Sequence, residues 1–291
     1  MNAKKTIDFG DYQLWCVTGP AEIEKLVNAM ATGAADGVCI SAWHGFSATN
    51  LEFLSEVPNL RILAVTDAAK VDISSIAKLT GLEYLAIDEA SGSIDFQVFP
   101  CLTELRLQEG KGRSLPIAGL PGLRRLALWG CKENTLQFLE NYPQLEHLEI
   151  IQARRLVSMD GVENASKITQ LNVSYCAKLE AIDAVGRLVE LRSLQFENVK
   201  KISDYASLAR LTQLKRLFIK KAAELTSLGI LRHLTNLESL VLRKVKIGDS
   251  DLSPLLGLPK LQHLHLDNKK EYEPLHERLK ELVAGRALQK N

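Results

Sequence analysis

Apolar residues recur along this chain with two superposed periods. Between Leu191 and Leu266 four segments share one pattern: Leu191-x-x-Leu194-x-Phe196, Leu214-x-x-Leu217-x-Ile219, Leu237-x-x-Leu240-x-Leu242 and Leu261-x-x-Leu264-x-Leu266. Their leading leucines lie 23, 23 and 24 residues apart. Between them apolar residues fall at every third position, as in Leu225, Leu228, Leu231, Leu234 and Leu237. The pattern extends backwards through leading residues Leu60, Leu82, Leu102, Leu123, Leu145 and Ile168, at spacings of 22, 20, 21, 22, 23 and 23. Apolar alternation within each copy predicts a short strand with one face buried. About a dozen residues follow each strand, room for a turn or two of tight helix.

A repeated L-x-x-L-x-L at a period of roughly 20–29 residues resembles the leucine-rich-repeat family. The short spacing resembles the roughly 22-residue class of internalins and phosphatase-regulating subunits rather than the longer ribonuclease-inhibitor class. The resemblance implies an α/β fold: a right-handed solenoid with a curved parallel sheet on its concave face and short helical or 3-10 turns on its convex face. One column departs from the family. Where Asn or Cys usually satisfies the backbone of the turn, this chain has Ala68, Ala90, Gly110, Cys131, Ala153, Cys176, Val199, Ala222, Val245 and Lys269. With no Asn ladder, the turns must find other partners for their buried backbone groups.

Both ends of a repeat stack expose apolar core and need caps. Tyr12–Val17 reads as a strand, Thr18-Gly19-Pro20 as a turn, and Ile23, Leu26, Val27 and Met30 as one face of a helix. Val38-Cys39-Ile40 follows as a degenerate first repeat. Residues 1–43 are therefore expected to form an N-terminal β-α-β cap and 44–268 a continuous array of about ten repeats. Residues 269–291 are expected to form a capping helix on Leu275, Leu279, Leu282 and Val283.

Composition narrows the classes. A 46% apolar, 24% charged chain of 291 residues is that of an ordinary globular protein, and a net charge of +1 supplies no global attraction to nucleic acid or membrane. Five cysteines (Cys16, Cys39, Cys101, Cys131 and Cys176) form no C-x-x-C pair and no zinc spacing, so reduced thiols in the cytoplasm are expected. The N-terminus shows no apolar leader and no run reaches transmembrane length. Cys131 and Cys176 fall in the turn column and read as small buried apolar residues.

With the leucines facing the core, positions two, four and six after each leading residue face outward on the concave sheet, and the seventh stands at the strand edge. There the chain carries an acidic end (Asp67, Asp88, Glu89, Glu104, Glu109) and a basic end (Arg216, Lys220, Lys221, Arg243, Lys244). Large apolar side chains with no evident structural need, Trp129, Ile151, Tyr175 and Phe218, stand among them. Aromatic anchors amid charge are the composition of a protein-binding hot spot. The candidate partner-binding residues are Tyr84, Arg106, Arg125, Trp129, His147, Glu149, Ile151, Tyr175, Arg216, Phe218, Lys220 and Arg243.

Candidate chemistry is sparse. His263-x-His265 with Asp267 shares a strand face and could chelate a metal, but Arg243 and Lys244 in the adjacent copy would repel a cation. Glu109-Gly-Lys-Gly-Arg113 lacks the spacing of a phosphate loop, and no Gly-x-Ser-x-Gly or His-Glu-x-x-His is present. The expectation is a non-catalytic, cofactor-free cytoplasmic protein, monomeric when free. It would bind another protein as a scaffold, an enzyme regulator or a bacterial toxin-immunity protein. The competing classes are metal binding, or phosphate and nucleic-acid binding, through the basic, His-containing C-terminal repeats.

Overall fold

A computed structural model describes residues 5–109, 119–273 and 275–288, and these form two compact units, Met1–Leu128 and Trp129–Asn291. The turn position at Gly110 and the 110–113 part of the glycine-lysine loop lie outside the described residues.

The first unit opens with a hairpin, β1 (Thr6–Phe9) and β2 (Tyr12–Val17), turned at Gly10. A helix, α1 (Ile23–Ala31), buries Leu26 and Ala29 and leads to β3 (Gly37–Ser41). The repeats then supply β4 (Ile62–Thr66), β5 (Ala68–Asp72), β6 (Tyr84–Ile87), β7 (Ala90–Ser91), β8 (Glu104–Gln108) and β9 (Arg125–Trp129), the last running up to the division between units. The main sheet runs in the order β1-β2-β3-β4-β6-β8-β9, antiparallel only at the hairpin, while β5 and β7 pair separately in the turns. The cap thus gains a strand, Thr6–Phe9, that the sequence pattern did not announce.

The second unit stacks β10 (His147–Ile151), β11 (Gln170–Ser174), β12 (Ser193–Glu197), β13 (Arg216–Lys220), β14 (Ser239–Arg243) and β15 (His263–Leu266) in parallel and in chain order. Equivalent residues pair without slippage: Leu171 with Leu194, Leu194 with Leu217, and Leu217 with Leu240. The return segments are 3-10 turns of three to five residues, such as Asp183–Arg187, Ala206–Arg210 and Gly229–His233. The leading residues Leu145, Ile168, Leu191, Leu214, Leu237 and Leu261 are fully buried, as are Val185, Leu208 and Leu231 of the return segments. At roughly 1.5–3 kcal/mol for each buried aliphatic side chain, every repeat adds its own share of core. The closing helix α2 (Leu275–Leu288) buries Leu279 and Val283, and Arg286 donates to the Leu258 carbonyl at 2.6 Å. No helix among the described residues is long and apolar enough to cross a membrane.

The missing Asn ladder has a backbone answer. The residue after seven of the repeat strands adopts a left-handed conformation: Asp67, Gly130, Gln152, Tyr175, Asn198, Lys221 and Lys244 have φ between 48° and 70°. That turn aims its N–H at the next repeat. Gly130 donates to the Ile151 carbonyl, Gln152 to Ser174, Tyr175 to Glu197, Asn198 to Lys220 and Lys221 to Arg243, all at 2.8–2.9 Å. At the two ends a carboxylate takes over, Asp88 for the Asp67 N–H and Asp267 for the Lys244 N–H. An L-residue in this conformation costs about 1–2 kcal/mol, which the inter-repeat hydrogen bond offsets. The small residue that follows, Cys131, Ala153, Cys176 or Val199, then drops into the core.

All five cysteines are free thiols; Cys101 is exposed and the other four are buried. Burial pushes the Cys176 thiol up to about 11, so little reactive thiolate forms at neutral pH. A thiol reagent should therefore label Cys101 rapidly in the folded chain and reach Cys131 and Cys176 only on unfolding. Labelling of all three at one rate would show that the turn column is misplaced.

Candidate functional site

The outward face of the sheet differs between the two units. In the first, the N-terminal hairpin lies over it. Alternation puts Ile7, Phe9, Tyr12, Leu14 and Cys16 on one side of the hairpin, where they pack with Cys39, Ile62, Ala64, Tyr84 and Ala86 as a second apolar cluster. Tyr84 contacts Tyr12 edge-to-face at 5.1 Å and Phe9 at 6.3 Å, and only 2% of it is exposed. The expectation that Tyr84 meets a partner is corrected here: its ring is structural, sealed by aromatic residues some seventy positions upstream. Small outward residues, Ala64 and Ala86, leave the room that the hairpin fills.

Charge on this face is also engaged internally. Asp11 at the hairpin turn reaches Arg125 at 3.3 Å, and Glu104 lies 3.7 Å from the same guanidinium. Desolvation holds the Glu104 and Asp88 carboxyls above their ordinary range, and Asp88 accepts the N–H groups of Asp67 and Glu89. Arg106 is half-buried on β8, opposite Ala86. Two features of this unit escaped the sequence reading. Trp43, in the short turn after β3, is 85% exposed. Beside it, the Cys16 and Cys39 sulfurs and the His44 ring converge. Cys16 and Cys39 are 23 residues apart, the period of the array, and that spacing was the available signal.

The second unit presents a face of its own, built on Trp129 and strands β10 to β15. Trp129 and Ile151 hold equivalent positions in consecutive repeats, with Gly130 bonded to the Ile151 carbonyl, and both are half-buried. Tyr175, at the left-handed corner of the next repeat, is 45% exposed. The middle rows are polar: Gln170, Asn172, Ser193 and Gln195, with His147 and Glu149 half-buried on β10. Phe218 is half-buried between Gln195 and Val241. Arg216 and Arg243 are exposed, whereas Lys220 is held by Glu197 at 2.7 Å. Near the turn edge, Gly130, Cys131, Lys132, Gln152, Arg154 and Arg155 line a recess of about 330 Å³ with three cationic side chains.

His263 and His265 are exposed on β15 and line a groove of about 300 Å³ with Val241, Lys280 and Val283. The Lys280 ammonium shares that groove, and among the described residues no third donor joins the two imidazoles within ligand reach. A partner for the His-x-His motif is therefore not assembled there.

No protein-family model matches this chain, and no curated protein matches its sequence. Solved structures do match its backbone. An internalin, inlF, from Listeria monocytogenes superposes with a TM-score of 0.52 at 20% identity, over 79% of this chain and 76% of that one. Internalin C2 from the same organism gives 0.51 at 18% identity, over 74% of this chain and 83% of the other. The in-register parallel strands, the 3-10 returns and this likeness agree: the chain has the leucine-rich-repeat fold.

Proposed function

We propose that this chain is a non-catalytic module that binds another protein through the outward sheet face of residues 129–291. The observation that carries the reading is the apolar group Trp129, Ile151 and Tyr175, set beside polar rows and a cationic recess. Such a group anchors a partner's apolar side chain by desolvation, while the rim charges select its surroundings. The recess formed by Lys132, Arg154 and Arg155 asks for an acidic residue next to that anchor, and Arg216 and Arg243 ask for a second acidic stretch along β13 and β14. Scaffolding, enzyme regulation and toxin neutralisation in the cytoplasm all use such a face.

The test is affinity capture followed by association kinetics. Exposed charge acts mainly on the encounter rate and is screened beyond about 8 Å at physiological salt. Neutralising Lys220, Lys221 and Arg243 together should slow association with the captured protein and flatten its salt dependence. Arg243 should contribute more than Lys220, whose charge Glu197 already balances. A triple variant that associates at the wild-type rate at low salt would remove the basic end from the interface. Captured nucleic acid in place of protein would overturn the whole reading.

A further inference from the structure

Cys16 and Cys39 stand opposite each other on the parallel strands β2 and β3, on the face turned away from the leucine core. Both are buried. His44 comes from the 3-10 turn Ala42–His44. That turn is fixed by Gly45 at φ 92°, whose N–H donates to the Ala42 carbonyl, and by the Phe46 N–H on the Ser41 carbonyl, each at 3.0 Å. The turn sets the imidazole so that a ring nitrogen and both sulfurs lie within 4.8 Å of one another. Among the described residues no other three side chains of this kind converge so closely. A role as small apolar residues accounts for the two cysteines beside Leu14, Ala64 and Ala86. It does not account for an exposed histidine held against their sulfurs.

We propose that Cys16, Cys39 and His44 bind one zinc(II) ion, as two thiolates and a neutral imidazole, with water in the fourth tetrahedral position. Zinc takes sulfur and nitrogen ligands at about 2.0–2.3 Å, which places tetrahedral donors some 3.8 Å apart. The present spacing closes onto the ion with a contraction of at most about 1.3 Å. Uptake releases the two thiol protons to solvent and leaves a site with no net charge, the condition for a cation bordered by apolar side chains. Thr66 follows two residues after Ala64, the residue paired with Cys39, and its hydroxyl would orient the bound Cys39 thiolate as an outer partner. A simple dithiol–disulfide couple would need no histidine. The imidazole is what separates the two readings.

The reduced, metal-free full chain is titrated with cobalt(II), a coloured substitute for zinc. A thiolate-to-cobalt charge-transfer band should rise to saturation at one equivalent and disappear when zinc(II) is added. In mild denaturant that opens the buried thiols to a reagent, zinc should also protect Cys16 and Cys39, but not the exposed Cys101. Cys39→Ser should abolish the band. His44→Ala, which alters an exposed side chain and leaves the apolar cluster whole, should weaken binding at least tenfold. No band with five titratable thiols present, or a band of unchanged strength in the folded His44→Ala variant, would overturn the site. So would loss of two thiols to a mild disulfide oxidant without any cobalt uptake.

Discussion

Gly161→Ala should lower the stability of the 129–291 unit by about 3 kcal/mol, roughly 6–12 °C in Tm at 2–4 °C per kcal/mol. Gly161 stands at φ 98° before the 3-10 turn Val162–Asn164. A methyl group there would sit 2.4 Å from the Leu136 carbonyl carbon and the Gln137 nitrogen. Those atoms belong to the backbone of the preceding return segment, so no side-chain rotation relieves the clash, and the left-handed backbone adds its own cost. Gly257 provides the contrast: it ends the turn Ser253–Gly257 with nothing within 4 Å of the added carbon. Gly257→Ala should be neutral, or stabilising by a few tenths of a kcal/mol through the unfolded chain. Equal melting temperatures for the two variants, by calorimetry or circular dichroism, would mean that the return segments are not packed as described.

Trp129→Ala should weaken partner binding by roughly 30-fold or more, the effect of losing an interface anchor of about 2 kcal/mol. The ring is half-buried rather than free-standing, so a stability loss is also expected. It should stay near 1 kcal/mol, below the 3–5 kcal/mol typical of a fully buried aromatic truncated to alanine. Binding measured per folded molecule separates the two effects. A large fall in Tm with affinity intact would assign Trp129 to the core and move the docking surface elsewhere. Ile151→Ala, its neighbour in the next repeat, should behave the same way with a smaller amplitude, since a smaller side chain buries less apolar area.

The leucine period made the strands and the 3-10 returns legible, because each copy repeats the same core geometry and errors in one copy are corrected by the next. The inward and outward assignments of Leu194, Phe196, Gln195 and Glu197 follow from alternation alone. The hairpin over the first unit was not legible. The contacts that bury Tyr84 come from Phe9 and Tyr12, and a countercharge to Arg125 comes from Asp11, pairings that no local pattern encodes. The turn ladder was hidden for another reason. Gln152, Tyr175, Asn198 and Lys221 share a backbone conformation, and their side chains have little else in common. The candidate site lies between these cases. The outward row could be read residue by residue, but which part of it the chain covers with its own N-terminus could not.

The slip-free pairing from β10 to β14 has a consequence for how such a chain can change. Successive strands there start at 147, 170, 193, 216 and 239, always 23 residues apart. An excision of residues 193–215 would bring β13 against β11 with Leu217 beside Leu171 and Ile219 beside Val173. The core lettering would read on unbroken, while the outside would change from Ser-Gln-Glu to Arg-Phe-Lys in a single event. Duplication of one period would lengthen the surface by one strand, about 4.8 Å, under the same rule. The interior therefore acts as a fixed reading frame, and the exterior as text that can be cut, copied and reordered without renegotiating the fold.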